Sequence, residues 1–190
     1  RVAVVHNGII ENFVDLRKLA QAAGRKIQSE TDTEIIAHIL DMEFEKCQSV
    51  ISAVMNTLPQ LRGSYALGIV HDSLPEQIIG VRHGAPLVAG VGEGENFLAS
   101  DVQALLHRTR NVIYLDDAAV AIITPSKISI SDFHGKEKPL QVKRLDWSPD
   151  QTDRGGYRHF MLKEIHEQPS VIANTLQPAI RFVENRPTIK

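Results

Sequence analysis

The first sixty residues alternate between apolar runs and polar breaks in a pattern that predicts one strand followed by three helices. The run VAVV suits a strand that ends at His6. Apolar positions then recur at helical spacing in three successive segments. The three predicted helices cover residues 12–24, 35–44 and 50–58. We expect Asn12 to cap the first of them and Pro59 to end the third.

From Gly63 onward the apolar period shortens, and glycine, proline and aspartate punctuate short runs that read as strands. A short helix is expected over residues 102–107. The predicted strands lie in the segments SYALGIVHD, EQIIGVRHG, PLVAGVG, NFLASD, NVIYLD, AVAIITP and KISISDF. Helices first and antiparallel-looking strands afterwards predict an α+β fold instead of a doubly wound parallel sheet.

The composition changes near Trp147, where DWSPDQTDRGGY is polar and rich in aspartate and glycine. Such a segment offers little to a core and is typical of a linker between domains. Helical spacing resumes in RHFMLKEIHEQPSVIANTL. We therefore predict a first domain over residues 1–148, a linker over 149–156, and the start of a second domain over 157–190.

Composition narrows the function classes. The chain has 190 residues, is 43% hydrophobic and carries a formal net charge of -2, which does not favour binding to nucleic acid. No apolar run reaches the roughly 18 residues that a membrane span needs. The single cysteine, Cys47, fits a reducing cytoplasm. Because the chain starts at Arg1 inside a predicted strand, we expect it to be a piece of a larger protein.

The stretch VVHNG admits two interpretations. Asn7-Gly8 is the strongest two-residue signal for a hairpin turn, because both residues tolerate a positive φ. Alternatively, a side-chain amide and a backbone N–H are held at the end of a strand to meet a ligand. The residues alone leave both interpretations open.

The segment SETDTE precedes the second predicted helix and is dense in polar groups. Thr31 with Glu34 has the spacing of a capping box, and so does Ser29 with Asp32. A single helix start does not need two overlapping boxes. Asp32 could therefore serve as the anion for a ligand ammonium.

Other candidate sites are weak. No pair of histidines has a metal-binding spacing, so neither a metal nor a cofactor is expected. GVGEGENF fails the phosphate-loop pattern, and its glutamates would repel a phosphate, so it predicts a hairpin. Cys47 has no histidine near it in sequence and is interpreted as a structural thiol.

Several stretches together resemble one family. VVHNGIIEN, SETDTEIIAH, LRGSYALGIV, GENFLASD and YRHFMLKEIHEQP occur in the order found in the isomerizing glutamine–fructose-6-phosphate aminotransferases, the glucosamine-6-phosphate synthases. The resemblance covers nearly the whole chain. It implies an N-terminal-nucleophile hydrolase fold, a four-layer sandwich of two antiparallel sheets between helices, which would be incomplete in these residues.

The resemblance also implies roles for residues and partners. Asn7 and Gly8 would form the oxyanion hole, and Asp32 would bind the α-ammonium of L-glutamine. The ammonia released would pass to fructose 6-phosphate in a sugar-isomerase domain, which would begin near residue 157. A cytoplasmic homodimer that makes an amino-sugar precursor is expected.

The nucleophile of that family, an N-terminal cysteine, would lie upstream of Arg1, so we expect no glutaminase turnover from these residues alone. Two alternatives stay open. One is another amidotransferase with an N-terminal cysteine, such as an amidophosphoribosyltransferase or an asparagine synthetase. The other is a glutamine-binding module without a nucleophile.

Overall fold

The structure is a computed structural model that describes residues 1–146, 155–177, 180–183 and 186–189. Two compact units divide the chain, Arg1–Trp147 and Ser148–Lys190. Most of the predicted linker, residues 149–156, lies outside the described residues, and the domain boundaries therefore stay a prediction.

Helices and strands follow one another in the first unit largely as the hydrophobic pattern predicts. The helices are α1 (Phe13–Ala22), α2 (Asp32–Cys47) and α3 (Val50–Thr57), and a 3₁₀ turn follows at Leu58–Gln60. The strands are β1 (Val2–Ile10), β2 (Gly63–His71), β3 (Ile78–His83), β4 (Val88–Val91), β5 (Asn96–Ala99), β6 (Asn111–Tyr114), β7 (Ala119–Ile123), β8 (Ile128–Asp132), β9 (Glu137–Lys138) and β10 (Lys143–Arg144).

These strands form two antiparallel sheets. The larger has the order β1-β2-β3-β7-β8-β9, and the smaller has the order β10-β6-β4-β5. β1 is an edge strand that pairs with β2 over its whole length, from Val2 opposite His71 to Ile10 opposite Gly63. The α+β class predicted from the change of period is confirmed. The hairpin predicted at GVGEGENF is also confirmed, since β4 and β5 pair across it.

Apolar burial defines the layers. One core joins α1, α2 and α3 to the larger sheet, and α2 contributes Ile35, Ile36, Ile39 and Leu40 to it. A second core lies between the two sheets and includes Leu87, Ile113 and Leu115. A third, small core packs the 3₁₀ turn at Val102–Ala104 on the smaller sheet. The helical layer therefore holds β1 and β2 from one side, while their other side faces the smaller sheet.

The prediction that β1 ends at His6 is wrong, and of the two interpretations of Asn7-Gly8 the structure excludes the hairpin turn. The strand runs on to Ile10 because β2 offers it a continuous partner. A type I′ turn needs a positive φ at both residues, and among Asn7 and Gly8 only Gly8 has one, at +130°. Tertiary strand pairing overrides the local turn signal.

Other local predictions also differ from the structure. Asn12 precedes α1, but its side chain does not cap the helix. Instead, its amide donates to the carbonyl of Gln60 and its oxygen accepts from the N–H of Arg62. The helix expected over residues 102–107 is a single 3₁₀ turn. The two-residue strands β9 and β10 lack a sequence signal of their own.

The second unit contains the helix expected after the linker. Its α4 (Phe160–Leu176) is followed by the antiparallel strands β11 (Ile180–Val183) and β12 (Arg186–Ile189). No residue of α4 is buried within the described part of the chain. No described helix is both long and apolar enough to cross a membrane.

Candidate functional site

The middle of β1 carries the amide and the glycine of VVHNG. The Asn7 side chain is exposed, and no described residue forms a hydrogen bond with it. It faces a cavity of about 170 Å³ that is bounded by residues of both sheets. The cavity is lined by Val5, His6, Asn7, Ala66, Gly68, Leu87, Leu98, Ala99 and Ser100. An uncommitted amide at the wall of a largely apolar cavity can donate to a ligand oxygen.

Gly8 occupies a backbone conformation that only glycine adopts readily. Its φ is +130°, and a Cβ placed on it would lie 2.8 Å from Cα of Tyr65 and closer still to the carbonyl oxygen of Ser64. β2 therefore passes so near to Gly8 that no side chain fits between the strands. The backbone of Gly8 is fixed beside Asn7 by this close approach.

Asp32 is the first residue of α2 and is tied to β1. The backbone N–H of Ile10 donates to its Oδ2 at 3.0 Å, and Nδ1 of His6 lies 3.5 Å from its Oδ1. The Asp32 side chain keeps 24% of its surface exposed. Asp32 is thus attached to the strand that carries Asn7 and Gly8, and the point of attachment, Ile10, lies two residues after Gly8. It leaves a carboxylate that a cation can still reach.

The capping prediction is half right. Thr31 caps α2, since its Oγ1 accepts from the N–H of Glu34 at 3.4 Å. The Glu34 carboxylate does not return to Thr31, however. It accepts instead from the N–H groups of Gln28 and Ser29 and from the Ser29 hydroxyl, at 2.6–2.7 Å. Ser29 and Asp32 do not form a second box, because Asp32 bonds to β1.

These bonds change the acidity of Glu34. The Ser29 hydroxyl, followed by the backbone N–H groups of Gln28 and Ser29, lowers its pKa from 4.5 to about 2. Glu34 therefore stays ionised and keeps the loop before Asp32 folded against the start of α2. Ordering this loop fixes the backbone from which Asp32 projects.

The remaining candidates show no ligand chemistry. No group of described His, Cys, Asp or Glu residues could hold a metal ion. Cys47 is the last residue of α2. Its thiol donates to the carbonyl of Ser49 at 3.3 Å, as expected of a structural thiol. His6 was not predicted as a site residue. The alternation of β1 could have indicated it, since alternation points His6 away from Asn7, toward the helices that Val4 contacts.

Comparison with known proteins assigns the chain to a family. Residues 1–107 match the family described as the glutamine amidotransferase domain. The chain belongs to this family.

Two curated relatives are similar over nearly the whole chain. A protein from Methanothermobacter thermautotrophicus is 45% identical over 175 residues, and one from Symbiobacterium thermophilum is 47% identical over 176 residues. Both are named glutamine–fructose-6-phosphate aminotransferase (isomerizing). The alignments cover 92% and 93% of this chain but only 30% and 29% of the relatives. The chain thus spans about 30% of the length of the curated relatives it matches.

Among solved structures, the chain is similar to a glutamine phosphoribosylpyrophosphate amidotransferase from B. subtilis in complex with ADP and GMP. The TM-score is 0.58 at 24% identity, and the match covers 70% of this chain and 29% of that one. At this identity the likeness concerns the fold. The fold is the one this amidotransferase shares, two antiparallel sheets packed with helices, which agrees with the α+β fold that the resemblance in sequence implied.

Proposed function

We propose that the chain is the glutamine-hydrolysing part of an isomerizing glutamine–fructose-6-phosphate aminotransferase, together with the start of its sugar-isomerase domain. The observation that carries this proposal is the extent of the match. An alignment of 175 residues cannot fit within the first unit, Arg1–Trp147, and must continue into the second. The match to the phosphoribosylpyrophosphate amidotransferase covers only 70% of the chain. The alignments with the glutamine–fructose-6-phosphate aminotransferases therefore support a proposal that includes residues of both units.

The reaction would begin with glutamine bound beside β1. A thiolate attacks the side-chain amide carbon, the carbonyl π electrons move onto oxygen, and a tetrahedral oxyanion forms. Collapse of this intermediate to a thioester expels the amine, which leaves as ammonia after protonation. Water then hydrolyses the thioester to glutamate. The family resemblance supplies the attacking group as an N-terminal cysteine. Cys47 lies within the chain and has no free α-amine to act as its base.

Asn7 and Gly8 would stabilise the oxyanion. The Asn7 amide and the Gly8 N–H are neutral donors on a strand whose position is set by pairing with β2. Donors that are oriented before the charge develops lower the barrier without reorganising. The uncommitted Asn7 amide at the cavity wall supports this role.

Asp32 would bind the α-ammonium of glutamine and so select the free amino acid over simple amides. Its carboxylate is partly exposed and is fixed by the N–H of Ile10.

A second part of the proposal is that the released ammonia reaches fructose 6-phosphate and gives glucosamine 6-phosphate, a precursor of cell-envelope amino sugars. By resemblance we also propose a homodimer in the cytoplasm, a location supported by the single cysteine.

The test is glutamate release by the full-length product of the gene that encodes these residues. L-Glutamine is supplied alone, with fructose 6-phosphate, or with phosphoribosylpyrophosphate. The proposal predicts stimulation by fructose 6-phosphate and formation of glucosamine 6-phosphate. Stimulation by phosphoribosylpyrophosphate instead would assign another amidotransferase. Binding of glutamine with no glutamate release would assign a binding module, and either result overturns the proposal.

A further inference from the structure

His6 lies next to Asn7 on β1 and has no role in the reaction described above. Its side chain is only 2% exposed. It lies on the helix side of the strand, where Val4 also packs, and reaches the first turn of α2. There its Nδ1 is 3.2 Å from Oγ1 of Thr33 and 3.5 Å from Oδ1 of Asp32. A buried imidazole therefore links the strand of the oxyanion donors to the carboxylate.

Both oxygens of Asp32 face β1 as a result. Oδ2 accepts from the N–H of Ile10, and Oδ1 faces the ring of His6. A carboxylate oxygen can only accept, so Nδ1 donates toward Oδ1 in the tautomer of His6 that carries its proton on Nδ1. Nε2 is then a bare acceptor, and this atom is buried without a hydrogen-bond partner among the described residues.

Packing alone does not account for an imidazole at this position. A buried polar atom without a partner lowers the stability of the folded state. An apolar side chain of similar size would fill the same space without this cost. A cationic side chain would orient Asp32 equally well but would neutralise its charge. An imidazole can donate to the carboxylate from Nδ1 without bringing the permanent charge of a lysine or an arginine.

We propose that His6 is a positioning residue that holds the Asp32 carboxylate in the orientation that recognises the α-ammonium of glutamine. This inference rests on the proposed function, because it presumes that Asp32 binds that ammonium. His6 touches neither the substrate nor the reacting atoms. It acts through Asp32 and ties the recognition of the amino acid to the strand that carries Asn7.

The test compares two ligands that differ only in the α-ammonium. The KM is measured for L-glutamine, and the inhibition constant is measured for glutaramate, the same amide and carboxylate without the amino group. The protein is the full-length product, with His6→Leu as the main variant. Val4→Ala is the matched control, since Val4 contacts the same core two residues earlier.

His6→Leu should raise the KM for glutamine by about 10- to 100-fold, the same range as the loss caused by removing residues that orient metal ligands through hydrogen bonds. The kcat at saturating glutamine and the inhibition constant for glutaramate should change little. Val4→Ala should affect both ligands equally. If His6→Leu weakened both ligands to the same extent, a merely structural role would be established and the inference would be wrong.

Two more variants keep the outcome decisive if His6→Leu does not fold. Asparagine can place its amide nitrogen near the position of Nδ1, whereas glutamine places it near Nε2. His6→Asn should therefore retain a lower KM than His6→Gln, and the reverse order would contradict the inference.

Asp32→Asn separates the two levels of the proposal. If it leaves the KM for glutamine unchanged, the assignment of Asp32 itself fails. If it raises this KM while His6→Leu does not, only the role of His6 fails.

Discussion

Replacing Gly8 by alanine is a direct test of the site, because the structure leaves no room for a methyl group there. The added Cβ would lie 2.8 Å from Cα of Tyr65, whereas carbon atoms in contact are ordinarily 3.5–4.0 Å apart. β1 and β2 would therefore have to separate locally by about 1 Å. The positive φ of +130° adds backbone strain that glycine avoids.

The expected loss of stability has two parts. Holding alanine in this backbone region costs about 1–3 kcal/mol. A separation of about 1 Å lengthens a hydrogen bond of 2.9 Å beyond the limit for such a bond. Losing two bonds of the ladder near Gly8 costs about 1–3 kcal/mol more. Gly8→Ala should thus lower the free energy of unfolding by about 2–6 kcal/mol.

Urea denaturation followed by far-UV circular dichroism measures this loss. Gly24→Ala is the matched control, since Gly24 also has a positive φ, +79°, but a Cβ there would have no neighbour within 4 Å. It should cost only about 1–2 kcal/mol of backbone strain. Hydrogen exchange should additionally rise along β1 and β2 in the Gly8 variant. Equal losses in the two variants would refute the steric argument.

Three further predictions concern neighbouring residues. Asn7→Ala in the full-length product should lower kcat by roughly 10²–10³-fold; an unchanged kcat would remove Asn7 from the oxyanion hole. Asp32→Asn should raise the KM for glutamine by roughly 10- to 100-fold. It should cost little stability, because the asparagine oxygen can still accept from the N–H of Ile10. An equal loss of glutaramate binding would count against an ammonium site. Glu34 has a folded pKa of about 2 against 4.5 when unperturbed, so its stabilising effect is present above pH 4.5 and disappears as the pH falls towards 2. Thermal unfolding should therefore show that the difference in Tm between the native protein and Glu34→Gln narrows over that range, and a constant difference would contradict the role of Glu34.

Helix positions in the first unit could be predicted from sequence because each helix buries a stripe of its own. The spacing of Ile35, Ile36, Ile39 and Leu40 predicts α2, and these four side chains are buried. The strand segments could be predicted for a similar reason, since glycine, proline and aspartate separate them. Local patterns suffice where local residues decide the structure.

Pairing between distant segments could not be predicted in this way. Asn7-Gly8 is a strong turn signal, yet β2, some sixty residues later, holds the pair inside a strand. Asn12 is a good helix cap by type, but its side chain instead bridges to Gln60 and Arg62. Likewise, the spacing of Ser29 and Asp32 cannot reveal that Asp32 bonds to Ile10. The partner in each case lies more than twenty residues away.

The correction at Asn7-Gly8 strengthens the functional interpretation. A hairpin turn is joined to the fold only at its two ends, whereas a strand is held by its ladder at every second residue. Oxyanion donors act best when they are oriented beforehand, so a paired strand is the better support. β1 also holds Asp32 through Ile10 and His6. Since one strand carries or fixes each proposed group, a change at Gly8 that separates β1 from β2 should impair turnover and substrate recognition together, whereas Asn7→Ala and Asp32→Asn should each impair only one of them.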